Sequence, residues 1–240
     1  MITPAFALII PAYNEESLIE ETLLKVDNFL VNNYPQDRYT IVAVDNNSTD
    51  GTKEKIQKLK ERVKGLEYFF VPQQGKGIAI KEAWMAYKND HDVFVFMDAD
   101  LATDLKSLPT LITRAHESGM SIGDRYHEDS KVERTAKRRF ISNAYRLIIR
   151  TLLNSKTSDF PCGFKAIDKK TLELIVPLVE NMSWFFDSEL VYHAEKSGIE
   201  IEQIPVQWRD PRSKVDQSKV NILKVSTQYI KEILRLRRNK

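Results

Sequence analysis

Four short apolar-rich runs, each closed by a polar turn and followed by a stretch of helical periodicity, constrain this chain most. They lie at 5–10, 39–44, 66–71 and 93–97. Runs of this length read as strands buried on both faces, the pattern of a parallel sheet covered by helices. The segments between them have helical spacing. In 16–31, for example, Leu18, Ile19, Leu23, Val26 and Leu30 fall on one face. Further helices are predicted at 52–63, 78–88 and 105–118, and a fifth strand at 120–123. Strands alternating with helices of this length imply an α/β fold, a mostly parallel sheet with right-handed crossovers. The second half is less regular. It reads as a basic amphipathic helix at 135–153, a strand at 162–167, a helix at 186–197, a strand at 201–208 and a last helix at 220–238. No internal repeat or linker divides the chain, so one domain is expected over 1–218, with an amphipathic helix in 219–240.

Ligands of open α/β sheets bind beyond the carboxyl ends of the strands, so the turns there carry the functional signal. The run Val93-Phe94-Val95-Phe96-Met97 stops at Asp98-Ala99-Asp100. Two carboxylates ending a buried strand are costly unless a cation neutralises them. Paired oxygen donors suit Mg²⁺ or Mn²⁺ bridging to a diphosphate, with Asp98 and Asp100 as ligands. After the first strand comes Pro11-Ala12-Tyr13-Asn14-Glu15. Tyr13 can stack on a base and Glu15 can hydrogen-bond a ribose or base edge, although acidic residues also suit a helix start. After the second strand, Asp45 heads Asn46-Asn47-Ser48-Thr49-Asp50-Gly51. Asp45 can accept from a base N–H, while the remainder reads equally as a turn and helix cap. Gln74-Gly75-Lys76-Gly77 opens a helix. It is neither a P-loop nor a dinucleotide-binding glycine fingerprint, but Lys76 at a helix N-terminus suits a phosphate.

Composition narrows the partners. The 240 residues carry a formal net charge of only +2, which gives no overall field for nucleic acid. The charge is unevenly spread, with seven basic residues against Glu133 in 131–150 and ten against three acidic ones in 209–240. Cys162 is the single cysteine, so no internal disulfide forms and a reducing compartment is expected. The start of the chain has no leader-like pattern, and no run is long and apolar enough to span a bilayer. A protein of this kind working at a membrane is expected on its cytosolic, cytoplasmic face, as a peripheral protein. The helices at 135–153 and 220–238 pair apolar stripes with arginines and lysines, the composition of helices that lie in an anionic interface.

Taken in order, Pro-Ala-Tyr-Asn-Glu, Asp-Asn-Asn-Ser-Thr-Asp-Gly, Gly-Lys-Gly and Asp-Ala-Asp-Leu-Ala-Thr resemble glycosyltransferase family 2. The resemblance continues through Gly123-Asp124-Arg125, Asp159-Phe160-Pro161-Cys162-Gly163-Phe164-Lys165, Phe186-Asp187-Ser188-Glu189-Leu190, Trp208 and Ser213-Lys214. It is strongest for the dolichyl-phosphate glucosyltransferase subgroup, then the mannosyltransferases. It implies a GT-A fold, a UDP- or GDP-sugar donor, with UDP favoured, and a dolichyl or polyprenyl phosphate acceptor. By the same resemblance Pro11, Tyr13, Glu15, Asp45, Lys76, Asp98 and Ala99 would hold the nucleotide and Asp98 and Asp100 the metal. Asp100, Arg125, Arg139 and Lys214 would serve catalysis. Arg125, Arg138, Arg139, Arg209 and Arg212 would hold the acceptor phosphate.

A phosphate monoester is a dianion near neutral pH and needs no general base, in keeping with four scattered histidines that form no triad or metal spacing. Attack opposite the leaving diphosphate would invert the anomeric centre. Two positions depart from the family pattern: Ala102, where the mannosyl type has Gln, and Asp124, where Ser is usual. A polysaccharide-building transferase and a silent nucleotide-sugar-binding subunit remain as alternatives.

Overall fold

The computed structural model describes residues 3–209 and 222–238. In chain order the elements begin β1 (Phe6–Ala12), α1 (Ile19–Asn33), β2 (Tyr39–Asp45), α2 (Thr52–Leu59), β3 (Leu66–Phe70) and α3 (Lys76–Tyr87). They continue with β4 (Val93–Met97), α4 (Leu108–Ser118), β5 (Gly119–Asp124), β6 (Lys131–Glu133), α5 (Ala136–Leu153) and β7 (Phe164–Asp168). The last are α6 (Lys169–Ile175), α7 (Phe186–Lys196), β8 (Glu200–Pro205), β9 (Gln207–Arg209) and α8 (Ile222–Arg238).

Seven strands form one sheet in the order β3-β2-β1-β4-β7-β5-β8. The order reverses between β1 and β4, because the chain runs outward through β2 and β3 before returning to β1's other edge. That reversal is where open α/β sheets bind ligands. All pairings are parallel except those of β7, which runs against both β4 and β5. The sheet is mostly parallel, as expected, and β7 is its antiparallel member. Residues 159–163 lie at the site end of the sheet, where Gly163 O accepts a hydrogen bond from Asp98 N at 3.0 Å. Chain that starts from the end where β4 and β5 finish can only run back against them.

Alternate residues of each central strand feed two cores, as the period of two requires. Ala7, Ile9, Phe94 and Phe96 meet α3, α5, α6, α7 and α8 on one face. Phe6, Leu8, Ile10, Val93 and Val95 meet α1, α2 and α4 on the other. The aromatic centre of the first core is Trp84, 5.7 Å from the Phe96 ring and 6.2 Å from Phe186.

Helix α8 enters that same core. Ile233 and Leu236 are buried, Tyr192 OH donates to Leu236 O at 3.1 Å, and Arg235 binds Glu180 and Glu189. The predicted strand at 201–208 is in fact two strands. Val206 separates them: its N–H donates to Ser130 Oγ, and its carbonyl accepts from Lys131 N. This bend starts the small parallel ribbon of β6 and β9 beside the site.

Candidate active site

The turns after β1, β2 and β3 are stapled together by the residues that read as turn formers. Asn14 adopts left-handed backbone, φ 54°, which asparagine tolerates. Its N–H donates to Ser48 Oγ at 3.1 Å, and its Oδ1 accepts from Thr49 N at 2.8 Å. Asn46 is buried and donates to Gln73 O at 2.6 Å, while its Oδ1 accepts from Gly75 N at 2.7 Å. At Gly75, φ is 149° and an added Cβ would stand 2.2 Å from Met182 O, so no other residue fits.

This scaffold presents the nucleotide residues expected from sequence at one end of the sheet. Asp45 ends β2, opposite Ala12 of β1. Its Oδ1 accepts from Ser48 N at 2.9 Å and its Oδ2 from Tyr68 OH at 3.0 Å. Burial, and then Asp45, push the Tyr68 phenol well above its ordinary value, which keeps it a donor. Tyr13 is 41% exposed beside this turn, with its hydroxyl taking a hydrogen bond from Gln74 at 3.1 Å. Glu15 N donates to Thr52 Oγ1 at 2.9 Å, which ties the turn after Pro11 to the start of α2. Ala99 is buried, its carbonyl accepting from Thr22 Oγ1 at 2.5 Å.

Lys76 has two carboxylate partners that its sequence context does not show. Sequence places it against a diphosphate, but its ammonium bridges Asp98 Oδ1 at 2.8 Å and Asp187 Oδ2 at 2.9 Å. Burial alone would lower this amine. The two carboxylates outweigh it, so the group is held charged well above its ordinary value. Asp187 also faces Lys165 at 3.5 Å, and Lys165, fully buried, donates to Phe160 O at 2.8 Å and to Cys162 O. The floor of the site is therefore a chain of alternating charges: Asp98, Lys76, Asp187, Lys165. Removing one member of such a set strands its partner, typically at about 3–5 kcal/mol.

Above this floor a cleft of about 70 Å³ is lined by Met97, Asp98, Asp100, Ala102, Thr103, Arg125, Gly163 and Trp208. Asp100 Oδ1 caps the next turn, accepting from Ala102 N at 3.1 Å. Arg209 N donates to Ala102 O at 2.8 Å, and this bond draws Trp208 over the cleft.

Arg125 is clamped by Asp159, from Nε and Nη2 at 2.7 Å each and from its own N–H at 2.9 Å. Burial raises the Asp159 carboxyl, but the Arg125 charge and these bonds prevail and hold it below its ordinary value. Cys162 packs beneath as a thiol, its pKa pushed up to about 12 by burial and then by Asp159. Asp124 also has a structural account. It accepts from Tyr126 N at 2.8 Å and from Ser158 Oγ, tying the turn after β5 to the segment that carries Asp159.

Of the other expected phosphate ligands, the two whose side chains are described are not gathered at the cleft. Arg139 is exposed on the first turn of α5. Arg209 pairs with Glu133 at 3.2 Å, both 74% exposed, because strand alternation turns it away when Trp208 faces in. The side chain of Arg138, and Arg212 and Lys214 entirely, lie outside the described residues. Asp159, Lys165, Asp187 and Arg134 were not assigned from sequence. The first three sit in the quoted motifs, and what was missing was their charge pairing.

Asp98 and Asp100 fit a hard divalent cation. Among the described residues no third acidic or soft side chain joins them. An ion held there would complete its shell with diphosphate oxygens and water, the habit of Mg²⁺ in phosphate sites.

An open sheet with its reversal at β1 and β4, and paired carboxylates facing an arginine across the cleft, defines a GT-A glycosyltransferase. The chain matches the model described as Glycosyl transferase family 2 over residues 7–175 and belongs to that family. It is 30% identical over 230 residues to Glycosyltransferase AglD of Haloferax volcanii, covering 94% of this chain but only 36% of AglD. It is 29% identical over 247 residues to a Dolichyl-phosphate beta-glucosyltransferase of Dictyostelium discoideum, covering 96% of this chain and 73% of that one. The fold is shared with glucosyl-3-phosphoglycerate synthase of Mycobacterium tuberculosis, solved with Mn²⁺, UDP and glucosyl-3-phosphoglycerate. The TM-score is 0.73 at 17% identity, over 97% of this chain and 80% of that one.

Proposed function

We propose that this chain transfers a hexose, glucose first among candidates, from a UDP-sugar to a dolichyl or polyprenyl phosphate. The observation that carries the reading is the composition of the cleft. Asp98 and Asp100 face Arg125, and among the described residues no histidine lines it. Asp187 is held by two lysines and is unavailable as a base. Such a site suits an acceptor that arrives already ionised. An oxygen of the acceptor phosphate attacks the anomeric carbon as the bond to the diphosphate breaks. The nucleoside diphosphate leaves with that electron pair, no proton is transferred, and the centre inverts. Mg²⁺ or Mn²⁺ on the carboxylates would supply charge neutralisation for the departing diphosphate. Arg125, pre-oriented by Asp159, would present its remaining N–H groups to the acceptor. Names of relatives that act on dolichyl phosphate support this reading.

The chain's own surface supports a peripheral membrane position, and the cytosolic face is the one we propose. No described helix is long and apolar enough to cross a membrane. Helix α5 exposes Phe140, Leu147 and Ile148, and α8 exposes Ile230 and Leu234. Arg146 and Arg150 flank the α5 set. The test is incubation with Mn²⁺ or Mg²⁺, a short polyprenyl phosphate and a panel of UDP- and GDP-sugars. A metal-dependent glycolipid from UDP-glucose is expected. Transfer only to a saccharide, or UDP binding without turnover, would refute the reading.

A further inference from the structure

Three arginines and two aromatic rings form a continuous stack leading out of the cleft. The Arg125 guanidinium lies 5.4 Å from the Trp208 ring centre, and Arg134 lies 5.2 Å from the same ring. Arg134 is also 5.5 Å from the Tyr126 ring, which Arg146 covers at 4.5 Å. Arg146 lines an open groove of about 550 Å³ on α5 with Asn143, Leu147, Arg150, Thr151 and Ser155. The stack thus runs from the carboxylate pair to the exposed apolar face of α5.

Arg134 is the member whose hydrogen bonding does not close. Its Nη1 donates to Ser142 Oγ at 2.9 Å. Its Nε and Nη2 are buried with no acceptor. Among the described residues no carboxylate pairs with it, and Asp159, whose charge reaches it, is already taken in a fork by Arg125. Burial, then the charge of Arg125, lower the guanidinium from its ordinary value. It stays protonated, since arginine starts so far above neutrality. Buried donors left unmade cost about 1–3 kcal/mol, more when charged. Aromatic faces offset part of that. Two guanidiniums beside the one carboxylate of Asp159, with Tyr126 offsetting part of the burial of Arg134, leave an excess of positive charge that suits an incoming anion.

We propose that Arg134 is a binding residue for the acceptor's phosphate monoester, completing with Arg125 a two-arginine seat. The stack from Arg146 inward is the route by which that headgroup enters. This inference rests on the polyprenyl-phosphate reading above. The donor diphosphate is the weaker occupant, because a metal on Asp98 and Asp100 would serve it, whereas the positive groups of the stack, Arg125, Arg134 and Arg146, lie on the way to a monoester dianion.

The test uses the full chain with Mn²⁺. Binding of UDP and of farnesyl phosphate is measured separately for wild type, Arg134→Gln and Arg134→Lys, together with the KM for each substrate. Glutamine is expected to weaken farnesyl phosphate at least tenfold and raise the acceptor KM in step. UDP affinity should change less than twofold, which also reports an intact fold. Lysine, keeping charge without the fork, should recover part of the loss. Unchanged farnesyl phosphate binding in the glutamine variant would overturn the inference while leaving the proposed function standing. So would an equal loss of UDP and farnesyl phosphate affinity. A wild-type protein that turns over UDP-sugar yet binds no prenyl phosphate would defeat the proposed function, and this inference with it.

Discussion

At the scale of single residues, the site depends on close approaches as much as on charges. Gly163 is the clearest case: a Cβ there would stand 1.9 Å from Asp98 Oδ2. The carboxylate would have to leave its place beside Lys76. Gly163→Ala is expected to cut metal-dependent donor turnover at least tenfold while the protein still folds, read by steady-state kinetics beside a melting curve. Turnover within twofold of wild type would mean that Asp98 need not hold this position. The strand-end acids were legible in the sequence because a buried run that halts at two carboxylates calls for a cation to neutralise them. The task of Lys76 was not, because its partners are reached only through the tertiary fold. Asp187 lies 111 positions along the chain. A lysine at a helix N-terminus beside glycines looks the same whether it faces a phosphate or a buried aspartate.

At the scale of elements, periodicity located the strands and helices well and their directions less well. The strand at 93–97 agrees at both ends, and the long helices agree within about three residues. The direction of β7 was illegible because alternation of strand and helix carries no sign once the rhythm breaks after β5. Helix α6 was missed because seven residues give too few turns for a period to emerge. Helices α5 and α8 show two apolar faces with different work. Ile233 is buried against α5 and α7, so Ile233→Ala should cost about 2–5 kcal/mol by leaving a cavity. Phe140 and Leu147 are 76% and 68% exposed. Replacing both by Ser should leave the melting temperature nearly unmoved and lower sedimentation with anionic lipid vesicles several-fold. Unchanged vesicle binding would remove α5 from the membrane contact.

At the scale of the whole molecule, stability should be acid-sensitive. Asp50, Asp159 and Glu189 are all held below their ordinary values. In each, burial opposes ionisation and is outweighed by Thr52 and backbone donors, by Arg125, and by His193 with Arg235, respectively. A carboxyl with a depressed folded pKa contributes stability that is complete above its unfolded value, about 4. That contribution disappears as pH falls through the folded value. His91, lowered by burial, has the same sign, but its loss begins below the unfolded histidine value of about 6.5. Urea midpoints are therefore expected to change little between about pH 7 and 8, decline gently toward pH 5, and fall steeply below about pH 4. Asp159→Asn should be less stable at pH 7 and flatter across the acid limb. Parallel acid limbs would mean that the Arg125 pair is not what acid breaks.

The same pair has a consequence for how such a chain can diversify. Arg125 leaves the sheet at the end of β5, and Asp159 comes back to it a few residues before β7. Between them lie β6, α5, Arg134 and Arg146, an excursion whose two ends are clasped by this buried pair and by Ser158 on Asp124. Its exposed lining can therefore be rewritten while the clasp, the core contacts of Ile149 and Leu153 and the pairing of β6 with β9 stay in place. Exchange of this one insert, with its clasp retained, is the most economical way to give the scaffold a new acceptor.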